Sequence, residues 1–199
     1  MKNILVLNQK GGVGKTLATD ALCYALSEVE TVDENGNKQV GVPYNLYDLD
    51  GQGGLVHEPC EMPGAEISVV DTPGALLSET IDSIRESDVL VVVTRPTLSD
   101  VPATERTIEV VKNNMKKDAV IVYVVNGMNR FRACQEFMEY FNEEHANDLV
   151  FGLPQSEAFV QSSLSGVSIQ QYNSKSPAAI AMKHFTDKVL ELCGIDVAS

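Results

Sequence analysis

Apolar positions along the chain fall into two rhythms, and the changes between them outline its elements. Ile4-Leu5-Val6-Leu7 is a continuous apolar run, the pattern of a strand buried on both faces. Leu17, Ala21, Leu22, Ala25 and Leu26 then recur at helical spacing and predict a helix that ends near Glu28. Between Val32 and Val40 an Asn35-Gly36 pair sits between short β-prone flanks, a signature common to a hairpin and to a plain exposed loop. Tyr44-Asn45-Leu46-Tyr47 predicts a strand ending in Asp48-Leu49-Asp50, and Gly51-Gln52-Gly53-Gly54 predicts a loop. His57 to Ala65 reads as turns. Ile67-Ser68-Val69-Val70 predicts a strand that ends at Asp71-Thr72-Pro73-Gly74, followed by a helix over 76–86 with Leu77, Ile81 and Ile84 on its apolar side.

Val89 to Val93 is continuously apolar, and 119–125 is a second such strand ending at Asn126-Gly127. Val101, Thr104, Ile108, Val111 and Met115 form one helix face between them. Cys134, Phe137, Met138 and Phe141 mark a further helix, and Leu149-Val150-Phe151 a short strand before Gly152-Leu153-Pro154. Helices over 158–164 and 178–193 close the chain. Buried strands alternating with helices predict an α/β fold of three layers, a mostly parallel sheet with helices on both faces. No repeat, low-complexity tract or linker divides the sequence, so residues 1–199 are expected to form one domain.

The first strand runs into Lys10-Gly11-Gly12-Val13-Gly14-Lys15-Thr16, and a helix follows immediately. Strand, glycine-rich loop and helix N-terminus are the context of a phosphate-binding loop, so the fold is expected to be that of a P-loop NTPase. The glycines let backbone N–H groups close around phosphate, and the helix adds the positive end of its dipole. Lys15 is expected to neutralise the β- and γ-phosphates, and the Thr16 hydroxyl to bind Mg²⁺. Two more polar loops, Asp48 to Gly54 and Asp71 to Gly74, lie at the same ends of predicted strands, where open α/β sheets bind ligands. Asp71, directly after an apolar strand, suits coordination of Mg²⁺ through water. Gly74 is placed to offer its N–H to a γ-phosphate, and Asp50 to orient water or touch the metal's shell. Helix capping and loop hydrogen bonding are the competing roles for both aspartates.

Charge narrows the choice of partner. With 28 acidic and 15 basic residues the net charge is −13, which argues against a broadly basic nucleic-acid surface. The cysteines, Cys23, Cys60, Cys134 and Cys193, are scattered without a CxxC pair, so zinc and iron–sulfur sites find no support. No apolar run is long enough to span a bilayer and no signal peptide precedes the first strand, so a cytoplasmic location is expected.

Lys10 changes the picture most. A second lysine ahead of the glycines, in Lys-Gly-Gly-Val-Gly-Lys-Thr, resembles the deviant Walker A loop of the ParA/MinD family of ATPases. The resemblance extends to Asp48-Leu49-Asp50-Gly51-Gln52-Gly53, to Asp71-Thr72-Pro73-Gly74, to Ser87-Asp88 and to Asn126, and so covers nearly the whole chain. It implies binding of ATP or ADP with Mg²⁺ through Gly11 to Leu17 and an ATP-dependent sandwich homodimer. Lys10 would reach the phosphates held by the second copy. Asp50 would position the attacking water, Asp71 would serve the metal, and Asn126 would contact adenine. Partition of plasmid or chromosome DNA, with a ParB-like activating partner and non-specific DNA binding, is the implied role. Arg106, Lys112, Lys116, Lys117, Arg130, Arg132, Lys175, Lys183 and Lys188 are the basic residues available for DNA. Four features depart from the family pattern. Leu17 replaces a threonine that would contact the α-phosphate, Gly51 replaces a proline, the stretch from Asp50 to Asp71 is short, and the candidate hairpin at Asn35-Gly36 looks like an insertion. The C-terminus carries no basic amphipathic cluster, which disfavours membrane attachment.

Overall fold

A computed structural model of the chain describes residues 1–32, 36–51, 53–75 and 78–197. In chain order it contains β1 (Lys2–Leu7), α1 (Lys15–Glu28), β2 (Glu30–Val32), β3 (Lys38–Val40), β4 (Tyr44–Asp48), β5 (Cys60–Glu61), β6 (Ile67–Asp71) and α2 (Ser78–Glu86). There follow β7 (Val89–Thr94), α3 (Val101–Asn114), β8 (Val120–Met128), α4 (Arg132–Glu144), β9 (Leu149–Pro154), α5 (Glu157–Leu164), α6 (Ile169–Asn173) and α7 (Pro177–Leu192). Seven strands form one sheet in the order β5-β4-β6-β1-β7-β8-β9, parallel throughout except for β5.

The apolar runs are continuous because each strand feeds two cores. In β1, Ile4 and Val6 face the core built with α1 and α7, while Leu5 and Leu7 face the core beneath α2, α3 and α4. Strand β7 divides the same way, with Val89, Val91 and Val93 on one side and Leu90 and Val92 on the other. Side chains of period two along a strand leave no polar face when both faces are covered. Each of these fully buried residues contributes about 1.5–3 kcal/mol relative to exposure. The expected three layers are thus present, and β1 sits mid-sheet between β6 and β7, where the connections diverge to either side. That divergence opens a crevice at the carboxyl end of β1.

Three local features go beyond the sequence expectations. β2 and β3 pair antiparallel from Glu30–Val40 to Val32–Lys38, so the hairpin alternative holds, although Asn35 lies outside the described residues, as do Gln52, Leu76 and Leu77. Within the stretch expected to be only turns, Cys60–Glu61 forms an antiparallel edge strand on β4. It is held by Met62 N donating to Asn45 Oδ1 at 3.0 Å and Tyr47 Oη donating to Glu61 Oε1 at 3.0 Å. Finally, α6 adds a short helix that Ser168 caps by accepting from Gln171 N at 3.0 Å. No helix among the described residues is long and apolar enough to cross a membrane.

Candidate functional site

The loop from Lys10 to Gly14 leaves the carboxyl end of β1 and turns directly into α1. Gly12 and Gly14 have φ of 72° and 107°, left-handed values that strain any side chain. At Gly14 space adds a second restriction, because a Cβ there would overlap the Asn126 side chain. Asn126 Nδ2 donates to Val13 O at 2.9 Å, so the end of β8 clamps the loop from behind. A Cβ on Gly74 would stand 3.2 Å from Gly11 N, which brings the loop after β6 against the first glycine of the phosphate loop. Leu17, in the first turn of α1, lines an apolar cavity of about 400 Å³ together with Ala21, Phe159 and Met182.

Lys15 is only 6% exposed, and its Nζ donates to Lys10 O at 3.4 Å. Burial pushes its pKa down, while the charges of Asp71 and Asp50 push it back up. An amine tethered this loosely, with two carboxylates near it, is prepared to turn toward an incoming anion. Asp50 follows β4 on a loop whose start is tied to β6, with Leu49 N donating to Asp71 O at 2.9 Å. The Asp50 N–H itself donates to Asp48 Oδ1 at 2.8 Å.

Asp71 is 1% exposed at the end of β6. Thr16 Oγ1 donates to its Oδ2 at 3.0 Å, and Thr19 Oγ1 donates to its Oδ1 at 3.2 Å. The Thr16 hydroxyl is a hard oxygen donor of the kind Mg²⁺ takes, and the Asp71 carboxylate beside it would hold the ion through water. Among the described residues no group of three or more His, Cys, Asp and Glu could hold a metal ion.

The same burial has a measurable consequence in the metal-free protein. It pushes the Asp71 carboxyl up to about 6 from an ordinary 3.8, against the hydrogen bonds of Thr16 and Thr19 and the charge of Lys15. Between these values the folded protein keeps a proton that the unfolded chain has released, so stability falls as pH rises from about 4 through about 6. The loss amounts to about 3 kcal/mol at most. Asp71→Asn should remove that slope in metal-free melting curves. Identical slopes for the two proteins between pH 4 and 7 would contradict the assignment.

The fold therefore brings Lys10 to Thr16, Asp50, Asp71, Gly74 and Asn126 to one sheet edge. Other residues there carry no motif. Thr19 takes the second oxygen of Asp71, and its spacing of three from Thr16 on a helix is the one sequence signal for it. Asp20 accepts from Val56 N at 3.0 Å, from His57 N at 3.1 Å and from His57 Nδ1 at 2.9 Å, and so anchors the far end of the Asp50 loop to α1. Asn8, Thr94, Thr104 and Thr107 form a buried polar network beneath the phosphate loop.

Residues 4–169 match the CbiA family, the CobQ/CobB/MinD/ParA nucleotide binding domain. No match was found among curated protein sequences. Solved structures are similar over almost the full length. An ATP complex of Cyanothece McdA is 14% identical, with 100% of this chain and 98% of that one covered and a TM-score of 0.77. The septum site-determining protein MinD of Pyrococcus horikoshii OT3, complexed with Mg-ADP, is 16% identical with 97% of each chain covered and a TM-score of 0.68. A ParA family ATPase from Chlorobium tepidum is 14% identical, covering 93% of this chain and 97% of that one at a TM-score of 0.68. At these identities the structures establish the shared fold, and the family match extends over most of the sequence. The chain belongs to the CbiA family, the CobQ/CobB/MinD/ParA nucleotide binding domain.

Proposed function

We propose that the protein is an ATPase that binds Mg-ATP, forms a homodimer across the bound nucleotides and hydrolyses ATP to time the segregation of plasmid or chromosome DNA. The observation that carries this reading is Lys10, a cation at the mouth of the phosphate loop with its side chain 41% exposed. Lys15 is buried beneath it, so the two lysines face different tasks. Leu98 at 89% and Phe131 at 66% exposure follow β7 and β8 at the same sheet edge and suit a face that a second copy covers. Mg-ATP, when bound, supplies the phosphoanhydride that is cleaved. The amides from Gly11 to Gly14 and the Lys15 amine would hold its phosphates, while Thr16 and Asp71 would hold the metal. Asp50 would orient the attacking water, and the second copy's Lys10 would stabilise charge on the transferred group. Asn126 is assigned to the adenine end of the site as well as to its clamp on Val13. A ParB-like protein is the proposed activator, acting in the cytoplasm.

A second reading rests on the basic residues. Lys116, Arg132, Lys183 and Lys188 each pair with a neighbouring carboxylate, namely Asp88, Glu136, Asp187 and Glu191. Those pairings weaken them as phosphate contacts and favour an ATP-switched scaffold for a protein partner. Retention on duplex DNA separates the readings. The partition reading expects the ATP-loaded protein to bind any sequence at low salt and to release steeply as salt rises. Absence of retention at low ionic strength would overturn it and leave the scaffold.

A further inference from the structure

Lys10 has a counter-ion in its own chain. Its Nζ lies 3.9 Å from Oδ1 of Asp100, on the turn between β7 and α3. The other carboxylate oxygen accepts from Arg95 Nε at 2.9 Å, and Ser99 Oγ donates to Oδ1 at 3.2 Å. The Asp100 side chain is fully buried, whereas those of Lys10 and Arg95 are each 41% exposed. A buried carboxylate thus lies at the bottom of a slot with two cations at its rim. Arg95 makes a short hydrogen bond, and Lys10 a longer, purely electrostatic contact.

The backbone on both sides of this contact is fixed. Lys10 N donates to Asn8 Oδ1 at 2.9 Å, and Asn8 Nδ2 donates to Val93 O at 2.7 Å and to Thr104 Oγ1 at 3.1 Å. Thr104 N and Oγ1 both donate to Asp100 O at 3.0 Å. The main chain at residues 10 and 100 is therefore tied through one buried network, while the Lys10 amine hangs on a flexible, half-exposed stem. It can swing away without moving the phosphate loop. A buried carboxylate stripped of every cation is strongly unfavourable, and Arg95 prevents that when Lys10 departs.

We propose that Asp100 is the resting seat of Lys10 and that Arg95 is the counter-ion left behind when Lys10 crosses to a second copy's nucleotide. The inference rests on the proposed trans role of Lys10. Asp100 and Arg95 act as positioning residues that set how readily the dimer forms. Asp100→Asn keeps one acceptor oxygen for Arg95 and turns an amide donor toward the Ser99 hydroxyl, but no longer holds Lys10 by charge. Arg95→Gln makes Lys10 the nearer remaining cation for Asp100 and holds it more tightly.

The test measures the protein concentration at half-dimerisation with Mg²⁺ and a non-hydrolysable ATP analogue. Asp100→Asn should lower that concentration by about two- to fivefold, and Arg95→Gln should raise it by a similar factor. Opposite signs are the prediction. A purely structural role weakens the dimer in both variants, and that outcome overturns the proposal, as does no change in Arg95→Gln, whose half-exposed side chain lets it carry the test even if Asp100→Asn misfolds. Asp100→Asn should restore nothing in a Lys10→Ala background, and restored dimers there would also overturn it. If Lys10→Ala alone dimerises normally, the trans reading itself has failed. If Lys10→Ala loses the dimer while the two shifts share a sign, only the seat has failed.

Discussion

Lys15→Ala is expected to lose at least about 100-fold in ATP affinity, the order of about 3 kcal/mol associated with charged hydrogen bonds to phosphate. The fold should survive the change. Lys15 is a buried cation whose amine donates to the Lys10 carbonyl at 3.4 Å, and burial already disfavours its charged form. Removing it takes away an awkward buried charge along with some stem packing, so nucleotide-free melting should shift little. Ligand linkage gives a clean readout: ATP raises the melting temperature of the wild type and leaves the variant unmoved. An ATP-induced shift of wild-type size in Lys15→Ala would refute the phosphate-loop assignment.

Lys10→Ala is expected to separate binding from turnover. The side chain is half-exposed, and among the described residues it lies in no core cluster and its one ionic contact is the 3.9 Å approach to Asp100. Nucleotide affinity should therefore stay close to wild type. ATP-driven dimerisation should disappear, and hydrolysis should fall by about 10²–10³-fold or more, the range for a cation aimed at developing phosphoryl charge. Hydrolysis followed by phosphate release, beside nucleotide titration on the same sample, reads both quantities. Wild-type turnover in Lys10→Ala would reject a trans role for this lysine.

The two lysines were legible in the sequence because their chemistry is local. Seven consecutive residues, a strand before them and a helix behind them leave few alternatives, and Asp71 announces itself by ending an apolar run. The layering was legible for a related reason: two-sided burial erases alternation from β1, β7 and β8, and helices between such strands force them parallel. The residues that escaped are those whose meaning is set by distant partners. Asn8 reads as a polar residue at a strand end, and only folding brings it to Thr104, 96 positions away. Asp100 looks like an ordinary helix cap, yet its side chain makes no capping hydrogen bond to α3 and instead faces Arg95 and Lys10. Asp20 lies on a helix stripe where a carboxylate normally means solvent, and it is buried because Val56 and His57 close over it. The edge strand at Cys60–Glu61 is two residues long and flanked by prolines, too short for any periodicity to appear.

This division has a physical consequence for the site. The parts proposed to touch phosphate and metal come from contiguous motifs, whereas the parts proposed to govern when Lys10 is available come from scattered buried polar groups. Binding and switching therefore rest on different residues and should be separable by mutation.

The most direct test of the central claim is molar mass by light scattering, with Mg²⁺ and either ADP or a non-hydrolysable ATP analogue. A monomer of 21.6 kDa with ADP and twice that mass with the ATP analogue is the predicted result. The same mass in both nucleotides would contradict an ATP-driven dimer and, with it, the role given to Lys10.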